Sequence, residues 1–100
     1  MESVDNLVSA LCADYTRRRE LIQRGGLSRR VETELRYLNA KIIDATLELA
    51  PEEELFGFIE EIGRGIGYAK SSLYHLSETT YKKRKREIKT NIAKKLYLTE

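Results

Sequence analysis

Apolar residues along this chain return every three or four positions, and no stretch alternates with the period of two that marks a strand. Gly25-Gly26, Pro51 and the cluster Gly63, Gly65, Gly67 fall between the periodic runs and cut the chain into helix-length pieces. This pattern predicts an all-α fold, a small helical domain of four to five helices. The first piece, about residues 2–24, places Val4, Leu7, Val8, Leu11, Tyr15 and Ile22 on one side of a single helix. Gly25 and Gly26 then serve as its C-cap and turn. Arg17, Arg18 and Arg19 read as a solvated helix end whose cations complement the C-terminal dipole.

The second piece begins at Ser28, a natural N-cap, and runs to about Ala50. Val31, Leu35, Leu38, Ile42, Ala45 and Leu49 form its main stripe, and Tyr37, Ala40, Ile43, Leu47 and Ala50 form a weaker one. A helix apolar on two sides is either central to the core or faces a partner chain, so a homodimer is expected as a possibility. Pro51 followed by Glu52, Glu53 and Glu54 reads as a helix start, with proline in the first turn and acids complementing the dipole. That helix would carry Leu55, Phe56, Ile59 and Ile62 inward. A last helix opens at Ser77, with Tyr81, Ile88, Ile92 and Leu96 inward and Thr79, Lys82, Lys83, Arg86 and Lys89 outward.

Composition narrows the function more by exclusion than by assignment. One hundred residues, 41% hydrophobic and 34% charged, make one domain with a modest core and a well-solvated exterior. Residues 1–50 read as a helical hairpin and core, and 51–100 as a helix-turn-helix region. The single cysteine, Cys12, cannot form an intramolecular disulfide, and sits on an apolar segment as expected of a buried, inert thiol. A single histidine, His75, argues against a histidine metal cluster or triad and is expected to cap or pack in a turn. Glu53-Glu54 and Glu60-Glu61 have the residue type for acid-base work, but no nucleophile, metal set or phosphate loop accompanies them. The reading is therefore no enzyme, no metal and no cofactor. No apolar run approaches the roughly 18 residues of a membrane span, and none follows a basic N-terminal region, so a cytoplasmic protein without a membrane partner is expected.

Charge is distributed unevenly. Net charge is +2, yet residues 77–100 carry +5, leaving −3 for residues 1–76. A dense cationic face on an amphipathic helix that follows a shorter helix, here about Tyr68 to His75, is what a helix-turn-helix requires. The second helix then enters the major groove, its first turn meeting base edges and its flanking cations meeting phosphates. The bland alternative is a basic helix that closes the bundle and binds nothing.

From about Ser28 onward the chain resembles phage transcriptional regulators of the ArpU/RinA type, found in Gram-positive phages and prophages. The resemblance rests on His75 to Leu96: Ser77 opening the recognition helix, Thr80-Tyr81, the basic run Lys82 to Arg86, and Ile92-Ala93-Lys94-Lys95-Leu96. It departs from the family at Tyr74-His75-Leu76, where a glycine is usual, and at Lys70-Ser71, where an Ile-Ala pair is usual. A second register, in which Ile62-Gly63, Ile66-Gly67-Tyr68 and Ser72-Leu73-Tyr74 match a sigma-factor-like pattern, would start the recognition helix near Ala69. The resemblance implies sequence-specific binding of double-stranded DNA and transcriptional regulation of the late-gene activator type. The DNA-binding residues would be Ser77, Thr79, Lys82, Lys83, Arg86 and Lys89. The alternative is a protein-binding adaptor that docks its basic C-terminal helix on RNA polymerase or another phage protein.

Overall fold

The computed structural model describes residues 3–98 and is all-helical, with no strand among the described residues. Five α-helices follow in order: α1 (Val4–Ala13), α2 (Tyr15–Arg24), α3 (Arg29–Leu47), α4 (Leu55–Arg64) and α5 (Glu78–Lys95), with 3-10 turns at Glu52–Glu54 and Tyr68–Lys70. Three serines in extended conformation start α1, α3 and α5. The hydroxyls of Ser3, Ser28 and Ser77 accept from the amides of Asn6, Val31 and Thr80 at 3.2, 3.3 and 3.2 Å. Each such cap is worth about 1 kcal/mol, because it satisfies an amide the helix itself leaves unpaired.

α1 packs on α4, α2 on α3, and α5 lies across α3 and α1. Between them lies one core: Val8 and Cys12, Ile42 and Ala45, Leu55, Phe58, Ile59 and Ile62, and Tyr81, Ile88 and Ile92. Burial pushes the Cys12 thiol up to about 12, as fits the inert thiol expected there.

The first expected helix is two helices. Asp14 leaves helical geometry at φ −92°, ψ 4°, and the chain turns there. In an unbroken helix the Leu11 carbonyl would accept from the amide four residues on. Here it accepts from the Arg18 guanidinium at 2.5 Å, while Arg18 Nε donates to Asn39 Oδ1 at 2.7 Å. Arg18 is thus not part of a solvated patch. It is 6% exposed, and its charge is matched by the negative end of α1 and an amide of α3.

Other inward assignments shift by a residue or two. Phe58 is fully buried and Phe56 is 51% exposed, because α4 begins after the 3-10 turn and its inward face is Leu55, Phe58, Ile59, Ile62. Pro51 caps that turn rather than occupying the first α-helical position. Of the three acids after it, Glu54 is buried, where it meets His75 and Arg84. Along α3, Ile42 and Ala45 are buried as expected, Leu38 is only half-buried and Val31 is exposed. In the weaker stripe Tyr37 and Leu47 remain 45% and 43% exposed.

The segment Tyr68 to His75 does not form the expected helix. Only Tyr68–Lys70 makes a single 3-10 turn, and Ser71 is already extended. The cause is Glu61, a 3% exposed carboxylate on α4. It accepts from Ser71 Oγ at 2.5 Å, from the Ser72 amide at 2.9 Å and from Ser72 Oγ at 2.6 Å, which holds the chain out of helical geometry. No α-helix starts near Ala69, so the second register finds no recognition helix in the structure. The α-helix before α5 is α4, and residues 65–77 that join them exceed the three- or four-residue turn of a compact helix-turn-helix.

Candidate nucleic-acid interface

The C-terminal helix, α5, is fixed by its inner face. Ile88 and Ile92 are fully buried, and the Tyr81 ring stacks on Phe58 with centroids 5.8 Å apart. Tyr81 also donates to Glu61 Oε1 at 2.8 Å. Burial, together with this bond to a carboxylate, pushes the Tyr81 hydroxyl up to about 12, so it stays a donor at any physiological pH. Asn91 donates to the Ala45 carbonyl at 3.0 Å, tying α5 to the end of α3.

With the inner face fixed, most cations of the helix prove to have partners on the protein itself. Lys82 pairs with Glu78 at 3.0 Å and Arg84 with Glu54 at 3.2 Å. Lys85 donates to the Ile66 carbonyl at 2.5 Å and lies 5.7 Å from the Tyr81 ring centroid. Burial, with Lys89 nearby, lowers its pKa from the ordinary lysine value. Lys89 turns to Asp5 of α1 at 2.8 Å, its side chain only 18% exposed, and Lys95 pairs with Glu48. The expected outward position of Lys89 is therefore corrected: a carboxylate from the other end of the chain reaches it.

Among the described residues, Lys83, Arg86 and Lys94 are the cations of α5 with neither a carboxylate nor a carbonyl partner. At 3.6 residues per turn, Thr79, Lys83, Arg86, Thr90 and Lys94 fall within an arc of roughly 80°. All five are exposed, with Glu87 beside the stripe and Lys82 on its other flank. Over the 18 residues of α5, about 27 Å, this is a ladder of three cations and two hydroxyls. Thr90 Oγ1 donates to the Arg86 carbonyl at 3.1 Å.

Of the six residues expected to contact DNA, Thr79, Lys83 and Arg86 share this stripe, and Lys82 flanks it. Ser77 is occupied as the cap, accepting from the Thr80 amide at 3.2 Å while its hydroxyl donates to Thr80 Oγ1 at 2.8 Å, at an exposed helix start. Lys89 is withdrawn. The sequence reading missed Thr90 and Lys94, although the spacing 79, 83, 86, 90, 94 was there to extend it.

Among the described residues no group of three His, Cys, Asp or Glu side chains is placed to hold a metal ion, and no helix is long and apolar enough to cross a membrane. Comparison with protein-family models, curated proteins and solved structures finds no match for this chain.

Proposed function

We propose that this protein is a sequence-specific double-stranded DNA-binding regulator of transcription that reads DNA with the outward stripe of α5. The observation that carries this reading is the division of labour on the helix. Five of its eight basic side chains are paired with a carboxylate or a backbone carbonyl, and the remaining three line up on one exposed arc. An α-helix fits the roughly 12 Å width of the major groove, where Thr79 in the first turn stands closest to base edges. Lys83 and Lys94 are placed to meet phosphates, and Arg86 can meet either a phosphate or the paired acceptors of a guanine. The resemblance of His75 to Leu96 to phage regulators supports the same reading.

The test is selection of bound sequences from a random duplex pool by the full chain. Recovery of a consensus that disappears with Arg86→Ala supports the proposal. Retention of DNA without any consensus refutes sequence-specific reading. No retention at low salt leaves α5 as a docking helix for an acidic protein surface, the adaptor alternative.

A further inference from the structure

A second surface lies away from the α5 stripe and shares no residue with it. Between α2 and α3 runs a groove lined by Tyr15, Ile22, Ala40 and Ile43, with Arg19 and Arg36 at its edges. Tyr15 and Arg19 also line a neighbouring groove against α4, where Phe56 and Ile59 form the floor, so the two are continuous. The exposed Phe56 ring belongs to this surface: it lies 6.1 Å from the Tyr15 ring, with the Arg19 guanidinium 5.7 Å from its centroid. Along α3 the positions 36, 40, 43 and 47 continue the stripe at steps of four, three and four, ending at the half-exposed Leu47. Ala40, Ile43 and Leu47 belong to the weaker α3 stripe; Ile43 packs partly on the core, while Ala40 and Leu47 stay exposed.

We propose that this groove binds an acidic amphipathic helix of a partner protein. Charge complementarity selects that occupant. The α2–α3 groove is lined by Tyr15, Ile22, Ala40 and Ile43, with Gln23 and Asn39 among them, and by two arginines and no acidic side chain. Arg19 has no acidic partner among the described residues, and Arg36 pairs with Glu32 just outside the groove at 3.3 Å, an exposed pair that a partner's acid can share. The extension toward α4 adds Arg64 and Glu60, which pair with each other at 3.1 Å. A helix laid in such a groove presents apolar anchors at i, i+3 or i+4, and i+7, with its acids reaching the arginine rim. From Arg36 to Leu47, α3 offers about 17 Å, enough for some three turns of partner helix. A second copy of this chain is the poorer occupant. An isologous contact would set Arg19 and Arg36 against the same residues of the other copy, with only Glu32, already paired with Arg36, close by to meet them.

The experiment is a selection of 14-residue helix-forming peptides from a random library against the full-length protein, followed by titration of the selected peptides in solution. The expected peptides carry net negative charge and apolar residues at i, i+3 or i+4, and i+7. Their affinity falls at least tenfold with Ala40→Glu, which fills and charges the floor, and again with Arg36→Glu, while DNA retention by α5 is unchanged. Both positions are exposed, and circular dichroism of each variant verifies the fold. Selected peptides that are neutral or basic, no enrichment at all, or binding indifferent to both substitutions would overturn the proposal. Sedimentation showing a dimer that Ala40→Glu dissolves would overturn it as well, in favour of a second copy.

Discussion

The phenol of Tyr81 donates to the carboxylate of Glu61 across 20 positions of sequence, and this bond seats α5 on α4. Glu61 is buried with four donated hydrogen bonds from Ser71, Ser72 and Tyr81 and no cation bonded to it. Burial alone would push its carboxyl up. The bonds from the two serines and the tyrosine outweigh burial and hold it below the ordinary carboxylate value.

Removing either partner should therefore weaken the fold in a pH-dependent way. A hydrogen bond to a charged group contributes about 1.5–3 kcal/mol, which is the loss expected for Tyr81→Phe in urea unfolding near neutral pH. Because the folded-state pKa of Glu61 is depressed, its contribution is fully present above the unfolded value of about 4.3 and is lost as pH falls through the lower folded value. The stability gap between the native protein and Glu61→Gln should then narrow on acidification below about pH 4.3. A gap constant with pH would contradict this.

Gly63 sets how closely α1 and α4 approach. A Cβ there would stand 2.6 Å from the Ala13 backbone nitrogen and 2.7 Å from its Cα, and a backbone cannot step aside as a side chain can. Gly63→Ala should cost about 1–3 kcal/mol or more by overpacking. Gly57→Ala meets only the Leu73 side chain at 3.1 Å and should cost less. Chemical denaturation of the two variants side by side checks the order.

The spine of the core lies at Ile42 rather than Leu38. Ile42→Ala should cost about 2–5 kcal/mol, the range for truncating a fully buried aliphatic side chain. Leu38 is half-buried and should cost clearly less. Equal losses in thermal unfolding would show that α3 is turned differently from the orientation described.

What could be read from the sequence was what is local to a helix. Ser28 and Ser77 announce their caps by position, and Tyr81, Ile88 and Ile92 announce an inner face by spacing, because both signals lie within a few residues. The features that escaped are polar pairings across the fold. Arg18 reaches Asn39, Glu54 reaches Arg84, Lys89 reaches Asp5, and no periodicity encodes such partners. The missing helix at Tyr68 to His75 belongs with them, since a carboxylate ten residues upstream takes the hydroxyls and amide of Ser71 and Ser72. The same effect shaped the candidate interface. Charge density pointed to α5, but only the pairing pattern separates Lys83, Arg86 and Lys94 from cations committed to the fold.

The central claim concerns those unpaired cations, and duplex binding measured by fluorescence anisotropy across a range of salt tests it most directly. Each DNA phosphate deprived of its protein cation should lower the slope of log affinity against log salt by about 0.9. The double substitution Lys83→Ala with Arg86→Ala should therefore weaken binding and flatten the slope by up to about two units, with the helical circular dichroism signal unchanged. Lys82→Ala, at a position already paired with Glu78, should move it less. Binding and salt slope identical in the native protein and the folded double variant would contradict the assignment of α5 as the DNA-reading helix.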